Sequence, residues 1–166
     1  MNKLFKKLGK DFELYLGSIF LAITSVIVVM NVFTRYFLKF TYAWAEEIAV
    51  GAFVWVIFLG LANSYKTGFL IGVEAVMKML PKKARTVVEF IAAMIVLILS
   101  STMFYLSFLY VKSSTKLTNA LELPYSVIYI SMIIAFALIT IYAIYFAVQS
   151  FRKIFIDPEI DNKELN

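Results

Sequence analysis

The chain has 166 residues, 62% of them hydrophobic and 16% charged, with a formal net charge of +5 and a mean hydropathy of +0.85. A water-soluble domain carries about 25% charged residues, so this composition excludes an ordinary soluble fold. With no Cys and no His, the chain also excludes disulfides, thiolate catalysis, Ser-His and Cys-His pairs, His-ligated haem and the usual zinc sites.

In chain order, a basic head of Lys3, Lys6, Lys7 and Lys10 precedes a stretch, 14–34, that holds no Asp, Glu, Lys or Arg. Three more such stretches follow, at 48–65, 90–111 and 123–151. At 1.5 Å per helical residue, roughly 20 residues cross the ~30 Å hydrocarbon layer of a bilayer. A soluble helix would interleave polar positions every turn or two to keep a wet face. The pattern predicts an all-α membrane protein with four transmembrane helices over 14–36, 44–65, 87–111 and 124–150. The head has the outline of a secretory signal, with Ala43-Trp44-Ala45 further on. The first apolar run is too long for one, however, and Arg35 and Lys39 intervene, so the reading is an uncleaved span.

Between the second and third spans, Phe69, Leu70, Val73, Val76, Met77 and Leu80 recur on one helical face, with Glu74 and Lys78 four apart on the other. Pro81 ends the pattern. This predicts a short amphipathic helix at 67–80, lying along the cytoplasmic surface or wedged between protein and lipid. Residues 1–156 are expected to form one membrane domain, and 157–166 a polar cytoplasmic tail.

The charges also assign a topology. Twelve basic residues fall on one side of the four spans: Lys3, Lys6, Lys7, Lys10, Lys66, Lys78, Lys82, Lys83, Arg85, Arg152, Lys153 and Lys163. Arg35, Lys39, Lys112 and Lys116 fall on the other. The excess of Lys and Arg on the cytoplasmic side predicts that both termini are cytoplasmic. Spread among membrane flanks, these basic residues report orientation and are not a nucleic-acid footprint. Phe33, Tyr36, Phe37, Phe40, Tyr42 and Trp44 at the outer ends of the first two spans suit the headgroup level, as do Tyr142, Tyr145, Phe146 and Phe151 at the inner end of the fourth.

The densest polar cluster is outside. Trp44-Ala45-Glu46-Glu47 opens the second span, where acids complement the helix dipole, and Arg35 is placed to pair with one of the two. The other acid is then open to a cationic partner in the periplasm or in a neighbouring subunit. Trp44 is the interfacial anchor of this group. Asn31, Asn63 and Ser64 are candidates for inter-helix or subunit contacts, because uncharged polar groups in spans bond across helices at about 0.6–2 kcal/mol each. Small residues at helical spacing (Ser18, Ala22 and Ser25; Gly60 and Ser64; Ser131 and Ala135; Ala143 and Ala147) permit close helix approach. No carboxylates converge in the membrane interior, where an ionised side chain costs about 2.5–3.5 kcal/mol on insertion scales. A chain that lacks such groups is not expected to form a transport path or an intramembrane active site alone, and no catalytic, metal or cofactor site is predicted.

At these residues the sequence resembles the small membrane subunit, the Q or DctQ-like component, of tripartite ATP-independent periplasmic (TRAP) transporters. The similarity covers nearly the whole chain. It runs from the basic head through Asn31-x-x-x-Arg35-Tyr36 and Trp44-Ala45-Glu46-Glu47 to Trp55, Leu59-Gly60-Leu61-Ala62, Lys66-Thr67-Gly68, Ile71-Gly72-Val73-Glu74 and Leu123-Pro124. Two positions depart from the family pattern. Leu70 stands where a His often precedes the Ile, and Glu74 stands where Asp is common, so no imidazole role is carried over.

The resemblance implies an accessory scaffold subunit in a bacterial inner membrane. It would pack beside a large transport subunit that binds Na+ and substrate, and help form the docking surface for a periplasmic solute-binding protein. The implied substrate class is organic acids, with a lean towards sialic acid. Two other classes fit less well. A self-contained four-span exporter acting as a dimer needs an acid deep in its first span, and 14–34 has none. A membrane enzyme or redox anchor is opposed by the missing His and by the absence of a phosphate-binding or paired-acid motif.

Overall fold

The structure, a computed structural model, describes residues 12–67 and 82–155. The amphipathic helix expected at 67–80 and the tail expected at 157–166 lie outside the described residues. Four long helices follow one another: α1, Phe12–Phe33; α2, Ala43–Lys66; α3, Lys82–Ser113; and α4, Ser126–Phe155. Each is long and apolar enough to cross a membrane, and the described residues form no strand. The protein is therefore an all-α membrane protein with four transmembrane helices.

The helix ends have local causes. A turn of π-helix, Thr34–Leu38, continues α1. It closes because Lys39 adopts the left-handed conformation (φ 52°, ψ 30°), which swings its N–H back onto the Thr34 carbonyl. The Phe40 N–H reaches the same oxygen at 3.4 Å. Asn31 Oδ1 accepts the Tyr42 N–H at 3.3 Å and ties the connection back to α1. α3 starts at Lys82, directly after Pro81 and five residues earlier than the sequence pattern suggests, because its first turn is charged and carries no hydropathy signal. α4 starts at Ser126, two residues later than expected, because Pro124 is used in an isolated bridge with Leu117.

The chain forms two compact units. Among described residues the first comprises 12–63 and 106–135. Its core is a stripe on α2, namely Ala45, Ala49, Ala52, Leu59 and Ala62, spaced three, four or seven apart and all buried. This spacing keeps them on one face of a helix with 3.6 residues per turn. Ser131 and Ala135 of α4 are fully buried in the same unit. A Cβ added at Gly51 would come within 3.3 Å of the Ile128 side chain, so the glycine permits that approach. Phe20 of α1 stacks on Trp55 of α2 with centroids 5.1 Å apart.

The second unit comprises 64–67, 82–105 and 136–155. Ala93 and Ser100 of α3 and Ile139, Ala143, Ala147 and Ser150 of α4 are its buried small residues. Tyr65 meets Phe146 edge-on, with centroids 5.7 Å apart, and the Lys66 ammonium sits 5.5 Å above the Tyr142 ring. Small side chains let helix backbones come close, which is how membrane helices gain packing energy where water supplies no drive.

The hydroxyls in these helices turn inward on their own backbone. Ser18, Thr24, Ser25, Thr102 and Thr140 each donate to the carbonyl four residues earlier. Ser100 and Ser131 donate to the carbonyl three residues earlier. The Thr140 hydroxyl also lies near a side-chain group of another helix, 3.1 Å from Ser100 Oγ. Each of these seven hydroxyls thus bonds within its own helix.

Candidate functional site

Arg35, Trp44, Glu46, Glu47 and Asn31, singled out from the sequence, lie together at one end of the first unit. Glu46 and Glu47 are neighbours in the first turns of α2, and consecutive side chains on a helix diverge by about 100°. They therefore serve different partners. Glu46 Oε1 accepts a hydrogen bond from Arg35 Nη2 at 3.0 Å, joining the π-turn that ends α1 to the start of α2. Both side chains are more than half exposed, and a pair open to solvent in this way is worth about 0–1 kcal/mol.

Glu47 turns the other way, towards the loop between α3 and α4. Its Oε1 accepts the Ala120 N–H at 2.7 Å and its Oε2 the Leu121 N–H at 3.0 Å. The Thr118 hydroxyl and the Asn119 N–H also face this carboxylate. Bonds from amides to an ionised acceptor are shorter and stronger than neutral ones. The loop has a shape of its own. Thr118 N–H donates to the Leu123 carbonyl at 2.8 Å, and Leu123 N–H returns to Thr118 Oγ1 at 3.0 Å. Glu122 N–H closes onto the Thr118 carbonyl at 3.1 Å with Glu122 at φ 53°. The Tyr125 N–H reaches the Lys116 carbonyl at 3.0 Å.

Trp44 borders this group, with its ring 5.7 Å from Tyr42 and part of its surface exposed. Tyr36, Phe37, Leu38 and Phe40 are exposed around it. At the near end of α4, Tyr129 packs against Tyr110 and Tyr125 with centroids 5.1 and 5.8 Å away. Asn31 joins the cluster through Tyr42. Asn63 and Ser64 do not, because they are half-buried near the other end of α2, about 25 Å along the helix from Glu46. The Ser64 carbonyl accepts the Thr67 hydroxyl at 3.3 Å.

Sequence reasoning missed three features. Thr118 is buried in the loop and orders it from within. The amides of residues 120 and 121 leave no trace in side-chain chemistry. Glu13, in the first turn of α1, is 3% exposed. Among the described residues no group of acids forms a set able to hold a metal ion. The arrangement can order a surface.

A family model described as tripartite ATP-independent periplasmic transporters, DctQ component, matches residues 24–153. The match takes in the π-turn, both acids of α2, the α3–α4 loop and most of α4. No curated protein matches the chain.

Proposed function

Because this chain belongs to the DctQ component family of tripartite ATP-independent periplasmic transporters, and is thus the small subunit of such a transporter in a bacterial inner membrane, we propose that it is the stationary scaffold of a sodium-coupled importer of organic acids. In this reading it packs beside the large membrane subunit, which binds Na+ and substrate. Its periplasmic end, built from Arg35, Trp44, Glu46, Glu47 and the 114–125 loop, helps to seat the solute-binding protein. Both termini are cytoplasmic, and Asn63 and Ser64 lie towards that side, where they serve subunit contacts. The substrate is sialic acid or another carboxylate.

The observation that carries the proposal is the distribution of charge. The interiors of all four spans hold no Asp, Glu, Lys or Arg, while the polar network is confined to one end of the first unit. Proteins that move ions through themselves usually carry such a group at depth. Glu13 does not supply one, because it lies in the first turn of α1. The apolar window of α1 contains no buried residue, which leaves a helix available to lipid and to a neighbouring subunit.

Reconstitution tests the reading. Vesicles holding this chain with the large subunit and the solute-binding protein are expected to accumulate a labelled organic acid down a Na+ gradient. Vesicles with this chain alone are expected to accumulate nothing. Uphill transport by the chain alone would overturn the proposal.

A further inference from the structure

We infer that Glu47 is a positioning residue for docking: its carboxylate fixes the 114–125 loop in the place where that loop meets the solute-binding protein, and does not itself meet that protein. The inference rests on the docking role proposed above. Both carboxylate oxygens of Glu47 are already used, one on the Ala120 N–H and one on the Leu121 N–H. With Glu46 paired to Arg35, the remaining acid, which the sequence left open to a partner's cation, is turned into the chain itself.

The loop depends on this contact because little else seats it. Its internal bonds, from Thr118 to Leu123 and from Lys116 to Tyr125, set its shape without tying it to α2. Leu117 and Leu123 are poorly covered, 53% and 48% exposed, and Leu121 is only half-buried. Beside it lies a half-open pocket of about 170 Å³, lined by Thr118, Leu121 and Pro124 of the loop region and by Glu47, Trp55 and Ile128 of the helices. Across this pocket the loop and the helices forgo direct dispersion contacts with one another. The polar bond between Glu47 and residues 120 and 121 is therefore what sets the loop's position on α2.

Its outer surface mixes charge with apolar area, since Lys116, Leu117, Asn119, Glu122 and Leu123 are all exposed. Such a mixture suits a soluble protein partner better than acyl chains, which would favour an unbroken apolar face. Holding the loop in its bound conformation beforehand removes an ordering cost from association. Loss of Glu47 should therefore weaken docking without touching the transport step.

The assembled complex tests this in vesicles, with uptake measured against the concentration of solute-binding protein. Glu47→Ala is expected to raise the half-saturating concentration about tenfold with the maximal rate retained. Glu47→Gln, which keeps one acceptor for the amides, should restore most of the loss. The exposed-face variant Lys116→Ala/Leu117→Ser should also raise the half-saturating concentration. If that double variant raises it and Glu47→Ala does not, or if Glu47→Ala lowers only the maximal rate, Glu47 has no positioning role and the docking reading survives. If neither variant moves it, the docking reading falls and takes the inference with it. Should Glu47→Ala fail to assemble, hydrogen exchange in the assembled Glu47→Gln complex decides the matter. Faster exchange at residues 120 and 121 supports the inference, and unchanged protection overturns it.

Discussion

Lys39 shows how a single residue shapes this end of the molecule. A side chain with a Cβ in the left-handed region costs roughly 1–2 kcal/mol relative to the right-handed one, yet Lys39 holds φ 52° and closes the π-turn onto Thr34. Glycine meets no such penalty. Lys39→Gly is therefore expected to raise the unfolding free energy by about 0.5–1 kcal/mol, read as a higher midpoint in detergent melts; an unchanged or lower midpoint would show that the lysine side chain itself contributes there. The Arg35–Glu46 pair carries the opposite expectation. Because both groups are open to solvent, a double-mutant cycle with Arg35→Ala and Glu46→Ala should return a coupling below about 1 kcal/mol that shrinks in high salt. Their pairing was readable from proximity along the chain, eleven residues apart across a short connection. The partners of Glu47 were not, since they lie 73 and 74 residues away and are backbone amides that no side-chain pattern marks.

At the scale of the helices, the four spans were legible because each signal accumulates over about 20 residues and needs no knowledge of neighbours. Which face of each helix is buried was less legible, because all faces of a membrane helix are apolar. Small residues gave a partial answer. Ser131, Ala135, Ala143 and Ala147 are buried as their spacing suggests, while Ser18, Ala22, Ser25 and Gly60 are exposed within this chain. Two substitutions separate these environments. Ala135→Leu adds volume where the parent side chain is fully buried, and should cost about 1–3 kcal/mol through overpacking. Gly51→Ala should instead be tolerated or gain up to about 1 kcal/mol from helix propensity. The atoms that its Cβ meets are the flexible end of Ile128, which borders the pocket and has room to move. Thermal melts of both variants in one detergent check the pair, and a large loss at Gly51→Ala would mean that Ile128 cannot yield.

For the molecule as a whole, the family assignment explains why so much apolar surface is left uncovered. The apolar window of α1 has no buried residue and that of α3 has 11%, although in water such area would be hidden. In a bilayer lipid covers it, and in a transporter a second subunit covers part. Binding to the folded state alone raises apparent stability by mass action. The complex with the large membrane subunit should therefore melt at a higher temperature than this chain alone in the same detergent, and equal midpoints would indicate that the two do not associate. Fold class and family were readable at this scale from composition and motif order. The loop between α3 and α4 was not, because its form rests on Thr118, on a left-handed Glu122 and on a carboxylate from another helix.

The inward-turned hydroxyls carry a last consequence. Bacterial inner membranes hold an electrochemical gradient that secondary importers spend, and any leak through a bystander polypeptide would dissipate it. Proton hopping requires donors and acceptors strung together from one side to the other. Here Ser18, Thr24, Ser25, Ser100, Thr102, Ser131 and Thr140 each donate to their own helix, and among the described residues no buried side-chain nitrogen or oxygen is left wanting a mate. The four span interiors also hold no Asp, Glu, Lys or Arg from which such a relay would start.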